Sequence, residues 1–206
     1  MVRSIILLTG EREVPFFKEF LWERDSSLNI MAAHTRSELI DAVDKTGGNA
    51  RLISYVTDVI VPRHILSRLV LTPYNIHPGP PEFPGSHADS FAIWEGSNTY
   101  GVTAHEIAPL VDSGPIVAVC RFPMPALATR LELADLAYSK AVEVFAVVAA
   151  HCADCDDPMP RMLDEHWSNV KTTKAQFRDL CSSLSKVPTD ALDRLQRACG
   201  PDLVSA

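Results

Sequence analysis

Three side chains in this sequence could carry out acyl-group chemistry together. Asn75 and His77 stand in "NIHPGPPEFPGSH" (residues 75–87), and Asp112 stands in "LVDSGPIV". The amide N–H groups of an Asn can donate to the oxyanion of a tetrahedral intermediate. An imidazole can donate to the same oxyanion or shuttle a proton. A carboxylate can raise the imidazole pKa, orient the ring and help take a proton from an attacking amine. No Ser or Cys nucleophile is needed if two substrates react directly. The i, i+2 spacing of Asn75 and His77 puts both side chains on one side of an extended segment. On spacing alone the Asp-Ser-Gly run also reads as an ordinary turn, and Asn-Ile-His-Pro as loop architecture.

These residues need a scaffold. Residues 75–87 hold four Pro and two Gly, which predicts a stiff, shaped loop and neither a helix nor a central strand. Upstream, short apolar runs alternate with helical patterns. "SIILLT" (4–9), "LNIMAAHT" (28–35) and "ARLISYV" (50–56) read as strands, and "VLTPYNI" (70–76) leads into the loop. Residues 13–25, 37–48 and 62–69 read as helices. Continuous apolar strands alternating with helices predict a mostly parallel, Rossmann-like α/β sheet with helices on both faces. Asn75 and His77 then fall at its carboxyl edge, where open α/β folds place ligands.

After the loop, residues 88–96 read as a helix, and 100–108 and 115–124 as two strands joined by the Asp112-Ser113-Gly114 turn. That turn could return Asp112 to the same edge. The clearest helix spans about 130–150, opened by a capping box of Thr129 and Glu132. "CADCDDPMPR" (152–161) reads as a linker. A second box, Thr173 and Gln176, opens a tail helix, and Pro188 opens another. The organisation expected is an α/β domain over 1–151 and a linker with a short helical appendage over 152–206.

Composition narrows the function. The chain has 206 residues, 47% hydrophobic and 22% charged, with a formal net charge of −7. That balance disfavours nucleic acid, which needs clustered Lys and Arg. The longest apolar run, "VFAVVAA" (144–150), is far short of a bilayer span, so no membrane partner is expected. The N-terminus lacks the pattern of a signal peptide, and five Cys in a chain this large read as reduced thiols of a cytoplasmic protein. The Cys152–Cys155 pair has no second ligand pair nearby, so it reads as unreactive thiols at a helix end. "TGERE" after the first strand is not a dinucleotide fingerprint. His34, His64 and Trp167 read as surface or packing positions.

Taken in order, "NIHPGPPEFPGSH" and "YGVTAHEIAPLVDSGPIV" resemble the signature of the folate-dependent formyltransferases. That group includes glycinamide ribonucleotide, methionyl-tRNA and nucleotide-sugar formyltransferases. Its signature is an Asn-x-His-Pro loop, a Gly-x-Thr/Ser-x-His strand and an Asp-x-Gly turn. The resemblance covers about residues 50–150, and the first 50 more loosely. It implies an enzyme of one-carbon metabolism that transfers a formyl group from 10-formyltetrahydrofolate to a small-molecule amine, with no metal. Asn75 and His77 would stabilise the oxyanion, and Asp112 would set the state of His77. His105 matches a further family histidine. The pterin would lie between the backbone of Thr57, Asp58, Val59, Ile60 and Val61 and that of Ala108, Pro109, Leu110 and Val111.

Departures from the family pattern bear on the acceptor. Pro84 stands before Gly85 where the methionyl-tRNA enzymes carry Arg, and residues 151–206 leave no room for their β-barrel. "TGEREVPF" is unlike the phosphate loop of the glycinamide ribonucleotide enzymes. An amino sugar nucleotide is one acceptor consistent with these differences, and a homodimer is compatible with them. The alternatives are hydrolysis of 10-formyltetrahydrofolate and a non-catalytic folate-binding or scaffold protein of the same fold.

Overall fold

Alternate residues of the first strand, β1 (Ser4–Leu8), serve two different cores. Ile5 and Leu7 join one, and Ile6 and Leu8 join the other. A strand apolar on both faces needs cover on both, and helices supply it. In the computed structural model, which describes residues 3–203, α1 (Val14–Arg24) and α5 (Arg130–Asp154) cover one face. α2 (Arg36–Thr46) and the short α3 (Arg63–Leu66) cover the other. Phe17 of α1 stacks on Phe145 of α5 with ring centroids 3.6 Å apart, which locks the first layer together. The Thr129–Glu132 capping box closes reciprocally at the start of α5.

The sheet has six strands in the order β2-β1-β3-β4-β5-β6. β2 (Asn29–Ala33), β1, β3 (Arg51–Tyr55) and β4 (Tyr74–His77) run parallel. β5 (Thr99–Glu106) and β6 (Ile116–Pro123) add on antiparallel. Two sequence expectations need correction. Asn75 and His77 are not loop residues but the end of β4, a central strand; the Pro-rich run starts only at Pro78. The linker does not begin at Cys152 either. Cys152 and Ala153 continue the buried face of α5, so the helix runs on to Asp154. Pro188 opens a 3-10 turn, Thr189–Ala191, ahead of the final helix α7 (Leu192–Cys199).

The chain beyond α5 is tied back to the sheet. Among the described residues the buried Arg51 guanidinium has no carboxylate partner; it donates to main-chain carbonyls, 2.8 Å to Asp156 and 3.0 Å to Thr72. The Tyr74 hydroxyl accepts from the Met159 N–H at 2.7 Å. Further on, the Ser168 N–H donates to the Pro81 carbonyl and the Thr172 N–H to the Pro84 carbonyl, both at 2.8 Å. Ser86 N–H returns a bond to the Thr172 carbonyl at 3.0 Å. Residues 168–172 thus strap the Pro-rich loop. α6 (Lys174–Cys181) and α7 then pack Phe177 and Leu195 against Phe91 and Trp94 of α4 (Ala88–Glu95).

Gly85 makes the strap possible. Its φ is +106°, and a Cβ there would collide with the Thr172 carbonyl. Gly85→Ala is therefore expected to cost on the order of 2 kcal/mol and to free the strap. Limited trypsin digestion would read this as faster cleavage at Arg161 and Lys171. Wild-type cleavage rates in the variant would refute the assignment.

Candidate active site

The antiparallel pairing of β4 with β5 sets the first contact. Asn75 lies opposite His105, and side chains of directly opposed residues share a face. The Asn75 amide nitrogen stands 3.1 Å from His105 Nε2. Two residues on, His77 lies opposite Thr103, whose hydroxyl donates to the Gly79 carbonyl at 2.8 Å. The Tyr100 hydroxyl donates to the Pro78 carbonyl at 3.0 Å. Both bonds bend the loop back over β5 immediately after His77.

Asp112 closes the site from the β5–β6 connection. It adopts a left-handed conformation, φ +44°, which Asp tolerates better than most residues. Its carboxylate is buried. One oxygen accepts from the Gly85 N–H at 2.8 Å and lies 3.5 Å from His77 Nδ1, and the other lies 3.3 Å from His105 Nε2. The remaining ring nitrogens face main-chain carbonyls. His77 Nε2 is 3.1 Å from Phe83 O, and His105 Nδ1 is 2.8 Å from Glu106 O.

Counting hydrogens shows what this arrangement can do. A carboxylate and a carbonyl only accept, so each imidazole nitrogen that faces one is best occupied by a hydrogen. A neutral imidazole supplies one N–H. The cluster therefore has a place for at least one proton beyond the neutral rings. Burial pushes the Asp112 carboxyl up, but the hydrogen bond from His105, the charge of His77 and the Gly85 N–H outweigh it and hold the group at about 2. A proton that the cluster takes up therefore goes to a ring and not to the carboxylate. Burial lowers the pKa of His77 against the pull of Asp112, so a proton placed there is easily surrendered.

One cleft of about 1180 Å³ runs past this cluster. Every residue singled out from the sequence lines it: Thr57 to Val61 after β3, Asn75 and His77 on β4, His105 on β5, and Ala108 to Asp112 beyond it. Ile60, Leu110 and Val111 are exposed on its rim. Arg12, His34, His87, Asp89, Asp135 and Lys174 line other parts of the cleft. Arg12 is held by Glu13, and Lys174 reaches Asp58 at 3.1 Å. Among the described residues no group of three or more His, Cys, Asp or Glu is arranged to hold a metal ion.

Sequence reasoning missed two participants. Gly85 gives the Asp112 carboxylate its one backbone N–H. Trp167, read only as a surface or packing residue, packs against both imidazoles, 5.0 Å from His105 and 5.9 Å from His77 between ring centroids. No local pattern signals either role, because both depend on chain segments distant in sequence.

A mixed sheet that ends in a buried His–Asp pair with a half-buried Asn, beside an open cleft, defines the class to which comparison assigns the chain. The formyl transferase family model matches residues 28–148, and the chain belongs to that family. Among solved structures, a sugar N-formyltransferase from a Shewanella species superposes with a TM-score of 0.78 at 16% identity, over 96% of this chain and 88% of that one. A 4-N formyltransferase from Francisella tularensis gives 0.75 at 15% identity, over 97% and 90%. The N-formyltransferase from Helicobacter canadensis, solved with folinic acid and dTDP-3-aminofucose, gives 0.71 at 14%, over 96% and 80%. At these identities the structural likeness establishes the shared fold. No curated protein matches the sequence.

Asp112 and His77 both contribute to the loss of stability in acid. Asp112 is held at about 2, below the usual Asp value of about 3.9. Its contribution, on the order of 2 kcal/mol, is fully present above about pH 4 and lost as pH falls through 2. His77 binds a proton more weakly folded than unfolded. Its unfolded counterpart gains protons first, so stability falls as pH drops below about 6.5. The wild-type melting temperature is expected to fall more than that of His77→Asn between about pH 7.5 and about 5.5. Equal falls would count against a buried, proton-poor His77.

Proposed function

We propose that the protein transfers a formyl group from 10-formyltetrahydrofolate to the amine of a small molecule. The observation that carries this reading is the cluster of Asn75, His77 and Asp112, with His105, at the edge of a cleft in a chain of the formyl transferase family. The cleft suits a folate on its own chemistry. A flat heteroaromatic ring needs apolar cover and main-chain donors and acceptors at its edge. Thr57–Val61 and Ala108–Val111 line the cleft, and Ile60, Leu110 and Val111 bring exposed apolar side chains to it.

The folate co-substrate supplies an activated formyl carbon. The amine attacks that carbon directly, and negative charge gathers on the formyl oxygen. The Asn75 amide stands 3.1 Å from His105 Nε2 and offers an N–H to the oxyanion. His77 gives the oxyanion a second donor when it carries an added proton and shares its Nε2–H, otherwise turned to the Phe83 carbonyl, with the substrate. Asp112 remains ionised throughout and stabilises the imidazolium. The proton lost by the amine passes to the folate N10 as the C–N10 bond breaks, assisted by the same cluster. The burial of His77, His105 and Asp112 strengthens the interactions among them relative to water.

The acceptor reading follows from the solved neighbours. One is a sugar N-formyltransferase and another was solved with dTDP-3-aminofucose. An amino sugar nucleotide is therefore the first acceptor class to test. The Lys174–Asp58 pair, exposed on both sides, would have to open for a phosphate. Exposed pairs cost little to exchange, about 1 kcal/mol or less.

The test is release of tetrahydrofolate from 10-formyltetrahydrofolate, with and without an amine panel led by amino sugar nucleotides. Release that depends on an amine, with one formyl group added to that amine by mass, is the expected result. Release without any amine would indicate hydrolysis instead, and no release under any condition would refute the reading. Asn75→Ala, His77→Ala and Asp112→Ala are each expected to lower turnover by about 100-fold or more while the far-ultraviolet circular dichroism spectrum is retained. Undiminished turnover in any one would remove that residue from the mechanism.

A further inference from the structure

Trp167 lies in the irregular stretch between α5 and α6, far in sequence from every catalytic candidate. Its indole N–H donates to the Gly114 carbonyl at 2.8 Å, in the turn that carries Asp112. Its ring meets His105 nearly at right angles, 89°, and His77 at 67°. One side chain therefore touches both imidazoles and the turn that brings the carboxylate between them. The neighbouring strap fixes where it sits, because Ser168 and Thr172 are bonded to the Pro-rich loop at Pro81 and Pro84.

We propose that Trp167 is a positioning residue for formyl transfer: its indole shields the His77–Asp112–His105 cluster from water and pins the Asp112 turn against both rings. The consequence for catalysis rests on the formyl-transfer reading; the effect on the cluster does not. Excluding water keeps the attraction between Asp112 and the rings strong. An aromatic ring also offers an imidazolium a favourable face or edge contact without competing for its hydrogens. The hydrogen bond to Gly114 prevents the turn from drifting. A sub-ångström error in such a constellation is costly to rate.

The charged surroundings are few. Asp112 from the β5–β6 connection and His105 from β5 face His77. Beside Trp167 in the tail, Glu165 is taken up by Arg121 at 2.7 Å, and His166 is exposed. Removing the indole thus changes hydration of the cluster without uncovering a new charge against it.

Two variants and a substrate-free readout test this. Trp167→Leu keeps apolar bulk but loses the ring's coverage and the N–H; Trp167→Phe keeps a ring and loses the N–H. Ring nitrogen chemical shifts of His77 and His105 would be followed against pH by nuclear magnetic resonance, alongside kcat and KM for formyl transfer. In Trp167→Leu the His77 midpoint is expected to rise toward the ordinary histidine value, and kcat to fall about tenfold with KM for the folate little changed. Trp167→Phe is expected to hold the midpoint closer to wild type and to lose less rate. Unchanged histidine titrations in Trp167→Leu, whatever happens to kcat, would overturn the proposal, as would a Trp167→Phe titration displaced as far as that of Trp167→Leu. The titration needs no substrate. An inactive wild type whose titration shifts in Trp167→Leu would sink the formyl-transfer reading and leave the shielding of the cluster standing.

Discussion

A carboxylate taken out of water is expensive unless every lone pair that faces protein finds a donor. Asp112 is that carboxylate, and the site is organised around satisfying it. The Gly85 N–H arrives from the Pro-rich loop, His77 from β4 and His105 from β5. Three segments remote from one another in sequence therefore converge on one anion. The left-handed backbone at Asp112 is the local concession that aims its side chain inward. Breaking any one donor leaves a buried charge short of a partner, which is why the arrangement specifies geometry more than it adds stability.

The same anion explains why an isolated pair of titratable groups would not serve. His77 alone, buried at the end of β4, would simply lose its proton. Asp112 alone, buried in a turn, would gain one. Placed together, each corrects the other's tendency, and a proton can rest on a ring within reach of the cleft without being held there. His105 extends the network to Asn75, so the amide that would face an oxyanion is oriented by the same cluster that would manage the proton.

Much of this was legible in the sequence, for reasons tied to particular elements. Helices α2 and α5 declared themselves by apolar spacing and by their caps, and the apolar runs at 5–8 and around 52–55 pointed to strands covered on both faces. The Asn-x-His and Asp-x-Gly signatures pointed to the residues that meet at the cleft. The extent of β4 was harder to see. Pro78 to Pro84 dominate the composition of the stretch, yet Tyr74–His77 are held in the sheet by pairing with β3 and β5, and no local window contains those partners. The end of α5 failed in the opposite sense. Cys152 and Ala153 stood beside Asp and Pro and read as linker, while the buried surface they complete belongs to distant strands.

The tail shows where local reading ends altogether. Residues 157–173 have neither helical nor strand periodicity, and the N–H groups of Met162, Ser168 and Thr172 find their acceptors on other segments, at Ile116, Pro81 and Pro84. A loop stiffened by four Pro loses little entropy when it is fixed, so a few backbone hydrogen bonds from the strap are enough to hold it in one shape. The loop's rigidity is thus half encoded in its own prolines and half borrowed from the strap. The part that is borrowed ends one residue away from Trp167, the side chain lying against both imidazoles. A segment that looked like an appendage in one dimension is, in three, a wall of the cluster on which the chemistry depends.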